Sequence, residues 1–174
     1  MYFYLSLGSN ISPESSSVCI VRNLCERFGC IALVPFRYTE PEGIEGAPIF
    51  VNALAVVSAD RLCGSVKRIL NNIETSMGRD RKDPLRSVKS RTADIDIVAE
   101  HAHFDLTVFK DMSETYVQAC ITGQGKQPDL RALGLASHQG PASVYLDAIT
   151  GDIVVIEDEF DCFINGFKAT FGRE

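Results

Sequence analysis

Apolar positions in the first hundred residues switch between continuous short runs and stripes spaced three and four apart, which mark strands and helices in turn. The run YFYLSL at 2–7 reads as a buried strand stopped by the Gly8-Ser9-Asn10 turn. Ser12 and Pro13 then supply an expected N-cap and a first-turn proline for a helix whose stripe is Val18, Val21, Leu24, Cys25 and Phe28, with Gly29 as its stop. Residues 30–38 read as a second strand, TEPEGIEGAP as a loop, and IFVNALAVV at 49–57 as a third strand. Asp60 is placed to cap a second helix in which Leu62, Val66, Ile69, Leu70, Ile73 and Met77 recur at helical spacing, ended by Gly78. The alternating segment at 92–98 is the fourth strand.

Strand, helix, strand, strand, helix, strand predicts an α+β domain with a ferredoxin-like βαββαβ core, two helices on one face of a four-stranded antiparallel sheet. The helix stripes are assigned to that core rather than to a cofactor. Beyond residue 99 the pattern weakens into a polar mixed region to about 140, then VYLDAITGDIVVIED, where Thr150-Gly151-Asp152 predicts a hairpin. Residues 159–171 fit either a terminal helix or a loose tail. With no repeat, low-complexity tract or linker, residues 1–174 read as one domain, a core over 1–98 and an extension over 99–174.

At 174 residues and 45% hydrophobic content the chain is long enough to bury a full core. A net charge of −6 and a pI near 5.1 argue against a general nucleic-acid or membrane-surface binder, because the phosphate-seeking charge is confined to one segment. The opening MYFYLSLGSN has no basic stretch and its apolar run breaks at Ser6, so neither a signal peptide nor a membrane span is expected, and the expected location is cytoplasmic. Cys19, Cys25, Cys30, Cys63, Cys120 and Cys162 form no CxxC pair and have no histidines at ligand spacing; they are expected to be buried free thiols. His101, His103 and His138 lie in polar surroundings and are expected at the surface.

The basic segment is GRDRKDPLRSVKSRTADIDIV at 78–98. Between Arg79 and Arg91 it carries Arg79, Arg81, Lys82, Arg86, Lys89 and Arg91 against Asp80 and Asp83, a local charge of +4. Asp94 and Asp96, two apart on the strand, share one face while Ala93, Ile95 and Ile97 take the other. Mg²⁺ takes hard oxygen ligands and phosphate oxygens take arginine donors, so the combination suits a nucleoside triphosphate held through Mg²⁺. Asp-Ile-Asp-Ile is also what any strand with one wet face looks like, and a basic loop is usually just solvated. The motif gains weight from its company.

LSLGSN, FVNALAVV, IETSMGRDR and RTADIDIV, in that order across roughly residues 2–98, resemble the 6-hydroxymethyl-7,8-dihydropterin pyrophosphokinase family of folate biosynthesis. The resemblance implies a ferredoxin-like fold and transfer of pyrophosphate from ATP to the hydroxymethyl group of a reduced pterin, with AMP released. It implies two Mg²⁺ ions held by Asp94 and Asp96, phosphate charge neutralised by Arg79, Arg81 and Arg91, and nucleotide contacts from Asn71 and Glu74. For the pterin it implies a wall at Thr39 and Gly43, a ring stacked on Phe50, and an edge hydrogen-bonded by Asn52. Taken alone, Asn71 and Glu74 would be surface helix residues and Phe50 a core residue; Asn52 is the stronger signal, because an amide amid FVNALAVV needs a partner. ATP and the pterin are the expected partners, with no nucleic acid and no membrane, and the chain is expected to be a monomer.

Some family features are replaced. The tryptophan and Gly-Pro before the aspartate strand give way to RSVKSR in a chain with no tryptophan, and the Pro-Pro of the pterin loop to Glu40-Pro41-Glu42. In DLTVFKDMSETYVQACI, Lys110 takes the place of a nucleotide-contacting histidine and Tyr116 that of an arginine, with no second stacking aromatic evident. The chain therefore also fits two other roles: a paralogue that binds nucleotide or pterin as a regulatory module, and a pyrophosphokinase for a different heterocycle.

Overall fold

The computed structural model describes residues 1–41, 48–80, 90–157 and 160. Along the chain these form β1 (Tyr2–Ser9), α1 (Pro13–Phe28), β2 (Cys30–Leu33), β3 (Arg37–Thr39), β4 (Phe50–Ser58), α2 (Cys63–Ser76) and β5 (Asp94–His101). A 3-10 turn over Leu106–Asp111, α3 (Thr115–Thr122), a short turn at Arg131–Leu133, and β6 (Ala142–Leu146) and β7 (Ile153–Glu157) follow. All pairings are antiparallel, in the order β5-β1-β4-β2-β6-β7, with β3 also on β4.

The sheet thus has seven strands among the described residues, where the sequence pattern predicts four. Two causes account for the difference. The apolar run at 30–38 breaks at Pro35, which has no N–H to give a ladder, so it yields β2 and β3 instead of one strand. The β6–β7 hairpin forms around its predicted turn, but β6 pairs with β2 and so extends the main sheet. Asp147 holds that turn by accepting the N–H groups of Ile149 and Thr150, both at 2.8 Å.

Strand alternation sorts the side chains to two faces. Phe3, Leu5, Leu7, Ala53, Ala55 and Val57 pack with Leu24, Leu70 and Ile73 of α1 and α2, the face on which both helices are expected. Tyr4, Leu54 and Val56 take the other, and it too is covered, by Phe109, Val117 and Cys120. Burial on both faces is why β1 and β4 read as continuous apolar runs. Phe109 is fully buried, its ring 5.3 Å from that of Tyr4.

Gly29 and Gly78 end the helices with φ of 83° and 92°, conformations that favour glycine. The expected N-caps are not made. Ser12 has φ 44° and its hydroxyl caps nothing; its carbonyl instead accepts the Ser16 N–H at 2.9 Å. Asp60 lies before α2, which starts after Leu62 with no side-chain cap, and Leu62 is 83% exposed rather than part of the stripe. Cys25, Cys30 and Cys120 are buried free thiols as expected, whereas Cys19 and Cys63 are exposed, off the apolar stripes of their helices. His138 is buried, contrary to expectation, with Nδ1 2.7 Å from the Gly140 carbonyl. Cys162 and nearly all of the expected tail at 159–171 lie outside the described residues. Among those described, no helix is long and apolar enough to cross a membrane.

Candidate active site

Strand register lines up Asp94, Gly8, Asn52 and Arg37 in one row across β5, β1, β4 and β3. One step along, Asp96 opposes Ser6, which opposes Leu54. Directly opposed residues share a face, and Leu54 fixes which: the face turned away from α1 and α2. Ile95 between the two aspartates is fully buried in the helix-side core, so the alternation that buries it delivers both carboxylates to the other side.

Asp94 sits in an ion network. Glu74, fully buried on the last turns of α2, accepts from Arg79 Nη1 at 2.8 Å and from the Ile95 backbone N–H at 2.7 Å. Arg79 also pairs with Asp94 Oδ1, and Arg91 Nη1 with Asp94 Oδ2 at 2.6 Å, so each carboxylate oxygen has its own guanidinium. Burial works against the Arg79 charge, but Asp94 and Glu74 outweigh it and hold that guanidinium's pKa above its ordinary value. Asp96 is the open member, 54% exposed and paired with Lys67 Nζ at 2.6 Å. Asn71 Oδ1 is buried with no hydrogen-bond partner among the described residues.

The other half of the row is neutral. Asn52 Nδ2 donates to Thr39 Oγ1 at 2.6 Å. A Cβ at Gly8 would stand 2.6 Å from Asn52 Oδ1, so the close approach of β1 to this amide requires glycine. The halves meet at Arg91, whose guanidinium carbon lies 5.8 Å from the centroid of the half-buried Phe50 ring. Tyr116 of α3 is close enough to bond Ser6; burial raises its phenol pKa, the Ser6 bond lowers it, and the charges of Glu114, Asp96 and Asp94 add to the rise.

The structure therefore gathers Glu74, Arg79, Arg91, Asp94, Asp96, Thr39, Phe50 and Asn52 on or beside one row. Lys110 stands apart, on a cavity beside β2 and β3. Arg81 and Gly43 lie outside the described residues. Two contributors escaped the sequence reading. Lys67 shares a helix face with Asn71 and Glu74 at i, i+4 and i+7, a spacing that would have pointed to it. Asn10 exchanges backbone and side-chain bonds with Arg91, its N–H to the Arg91 carbonyl at 3.0 Å and its Oδ1 from the Arg91 N–H at 2.7 Å; its place at the end of LSLGSN was the available signal. No group of three or more His, Cys, Asp or Glu is assembled for a metal among the described residues. The donor set at the row is the hard-oxygen pair Asp94 and Asp96, which fits a cation that shares its coordination with phosphate and water.

Residues 4–119 match the family model of 7,8-dihydro-6-hydroxymethylpterin-pyrophosphokinase. The chain belongs to this family. It is 32% identical over 97 residues to proteins named 2-amino-4-hydroxy-6-hydroxymethyldihydropteridine pyrophosphokinase from two strains of Porphyromonas gingivalis. That alignment covers 55% of this chain and 66% of each relative's length. The pyrophosphokinase family match runs past β5 into α3, so it takes in Lys110 and Tyr116, and it stops short of the β6–β7 hairpin.

Proposed function

We propose that the chain is a pterin pyrophosphokinase that, with Mg²⁺, transfers pyrophosphate from ATP to the hydroxymethyl group of 6-hydroxymethyl-7,8-dihydropterin and releases AMP. The observation that carries this reading is the clamp of Arg79 and Arg91 on Asp94, next to the Asn52–Thr39 pair. Without phosphate, the Asp94 and Glu74 carboxylates and the two guanidiniums neutralise one another. A Mg²⁺-triphosphate brings a cation for Asp94 and oxyanions for the arginines, so these partly buried charges can exchange partners without any being left uncompensated.

Asp94 and Asp96 would hold Mg²⁺, which when bound neutralises and orients the triphosphate. Arg79 and Arg91 then supply donors to the phosphate oxygens, and Arg91, beside Phe50, takes the position between nucleotide and acceptor. The buried Asn71 Oδ1 offers an acceptor to the nucleotide. Phe50 offers a ring face to the pterin, and Asn52 with Thr39 its edge contacts. The new bond runs from the hydroxymethyl oxygen to the β-phosphorus as the bond to the AMP oxygen breaks, and the residues act by positioning and charge.

Calorimetry with a non-hydrolysable ATP analogue tests the assignment. Binding should require Mg²⁺ and be lost in Asp94→Ala and Asp96→Ala, and pterin should bind more tightly once the analogue is present. Undiminished, Mg²⁺-dependent binding in both variants would remove the metal assignment.

A further inference from the structure

Arg37 ends the row that Asp94 begins, and it has a surrounding of its own. It is only 9% exposed, and among the described residues it belongs to no ion pair and its Nε has no hydrogen-bond partner. Its one described bond is a long one, Nη1 to Gln127 Oε1 at 3.4 Å. Burying a guanidinium this way is costly unless an anion answers it. The guanidinium lines a cavity of about 350 Å³ between the link from β2 to β3, the 3-10 turn and the end of α3. Lys110 lines the same cavity, and among the described residues no carboxylate does. The nearby Asp105 is committed to the N–H and hydroxyl of Thr107 at 2.8 and 2.7 Å. Val34, Pro35, Phe109, Ile121 and Pro141 make the rest of the wall largely apolar. Gly123, in a left-handed conformation with φ 72°, closes one side; a Cβ there would come within 3.4 Å of Arg37 Nη2.

We propose that this cavity binds a small organic oxyanion, a carboxylate or phosphate carried on a compact apolar body, with its anion on Arg37 and Lys110. Two cations without a carboxylate select the charge, and the apolar wall selects the body. The site is separate from the aspartates: Cys120, whose thiol lies 3.5 Å from the Asn52 carbonyl, forms part of the wall between the cavity and the row. It stands whether or not the chain turns over a pterin.

The test is calorimetry and amide NMR on the full chain, without Mg²⁺ or nucleotide, using benzoate, phenyl phosphate, inorganic phosphate and benzyl alcohol. One equivalent of benzoate or phenyl phosphate should bind, whichever is tighter naming the anion, and should shift the amides of Arg37, Thr122 and Gly123 but not those of Asp94 and Asp96. Arg37→Gln and Lys110→Glu should each weaken binding about ten-fold or more, the loss expected for a charge-assisted contact. Lys110 is exposed, so its variant keeps the test intact even where Arg37→Gln fails to fold. The proposal is overturned if neither anion binds, if benzyl alcohol or inorganic phosphate alone binds as well, if both variants bind like the wild type, or if the shifts centre on Asp94.

Discussion

Buried Glu74 and partly buried Arg79 form an ion pair, Oε1 to Nη1 at 2.8 Å, that ties the end of α2 to the start of β5 through the Ile95 N–H. The pair sets where Asp94 stands. Glu74→Ala takes from Arg79 one of its two carboxylates and strands the Ile95 backbone donor, and is expected to cost about 1–3 kcal/mol. Urea unfolding should show a lower midpoint at unchanged slope. Glu74→Gln, which keeps an acceptor for Ile95, should lose less.

Gly8 tests the neutral half of the row. Gly8→Ala drives a methyl against Asn52 Oδ1 and must turn the amide away from Thr39. Asn52→Ala removes the amide outright. Both should weaken pterin binding in the presence of the ATP analogue, Asn52→Ala by roughly 1–3 kcal/mol for the unpaired groups it leaves. A titration in which both variants match the wild type would move the pterin pocket elsewhere.

The Tyr38 hydroxyl donates to Glu14, and this bond, with burial, pushes the phenol pKa up to about 12 from 10.0. The native state keeps that proton after an unfolded chain has released it. Stability from this contact is therefore complete below pH 10 and lost as the pH climbs towards 12. Absorbance titration should show tyrosine ionisation extending towards pH 12, and Tyr38→Phe should remove the Tyr38 share of that late phase.

Thiol reactivity should follow burial. Burial holds the Cys25 and Cys120 thiols at about 12, so both should resist alkylation in the native protein. Among the described cysteines, exposed Cys19 should react first, and Cys63 more slowly, since desolvation and nearby Glu100 raise its pKa. Mass mapping after a short exposure to iodoacetamide reads the order directly.

Local signals in the sequence carry the local structure well. Glycines with positive φ stop both long helices where expected, and the Thr150-Gly151-Asp152 turn makes its hairpin. Asp94 and Asp96 share a face because a two-residue period leaves no other choice. What the sequence does not expose is partnership at a distance. Nothing near residue 142 says that β6 will pair with β2, and nothing near Arg37 says that α3 will close over it. Arg79 and Arg91 are legible as a basic cluster, but their shared hold on Asp94 depends on how α2 meets β5. His138 is misplaced for the same reason, since the polar residues around it in sequence are not those around it in space.

The most direct measurement is the formation of AMP when the chain is mixed with ATP, Mg²⁺ and 6-hydroxymethyl-7,8-dihydropterin. One AMP should appear for each pterin diphosphate formed, with none when Mg²⁺ or pterin is omitted and with Asp96→Ala at least about a hundred-fold slower, as for loss of a charged group acting on the transferring phosphates. Nucleotide and pterin binding without any AMP, under conditions where both sites are filled, would contradict the account and leave a binding module in its place.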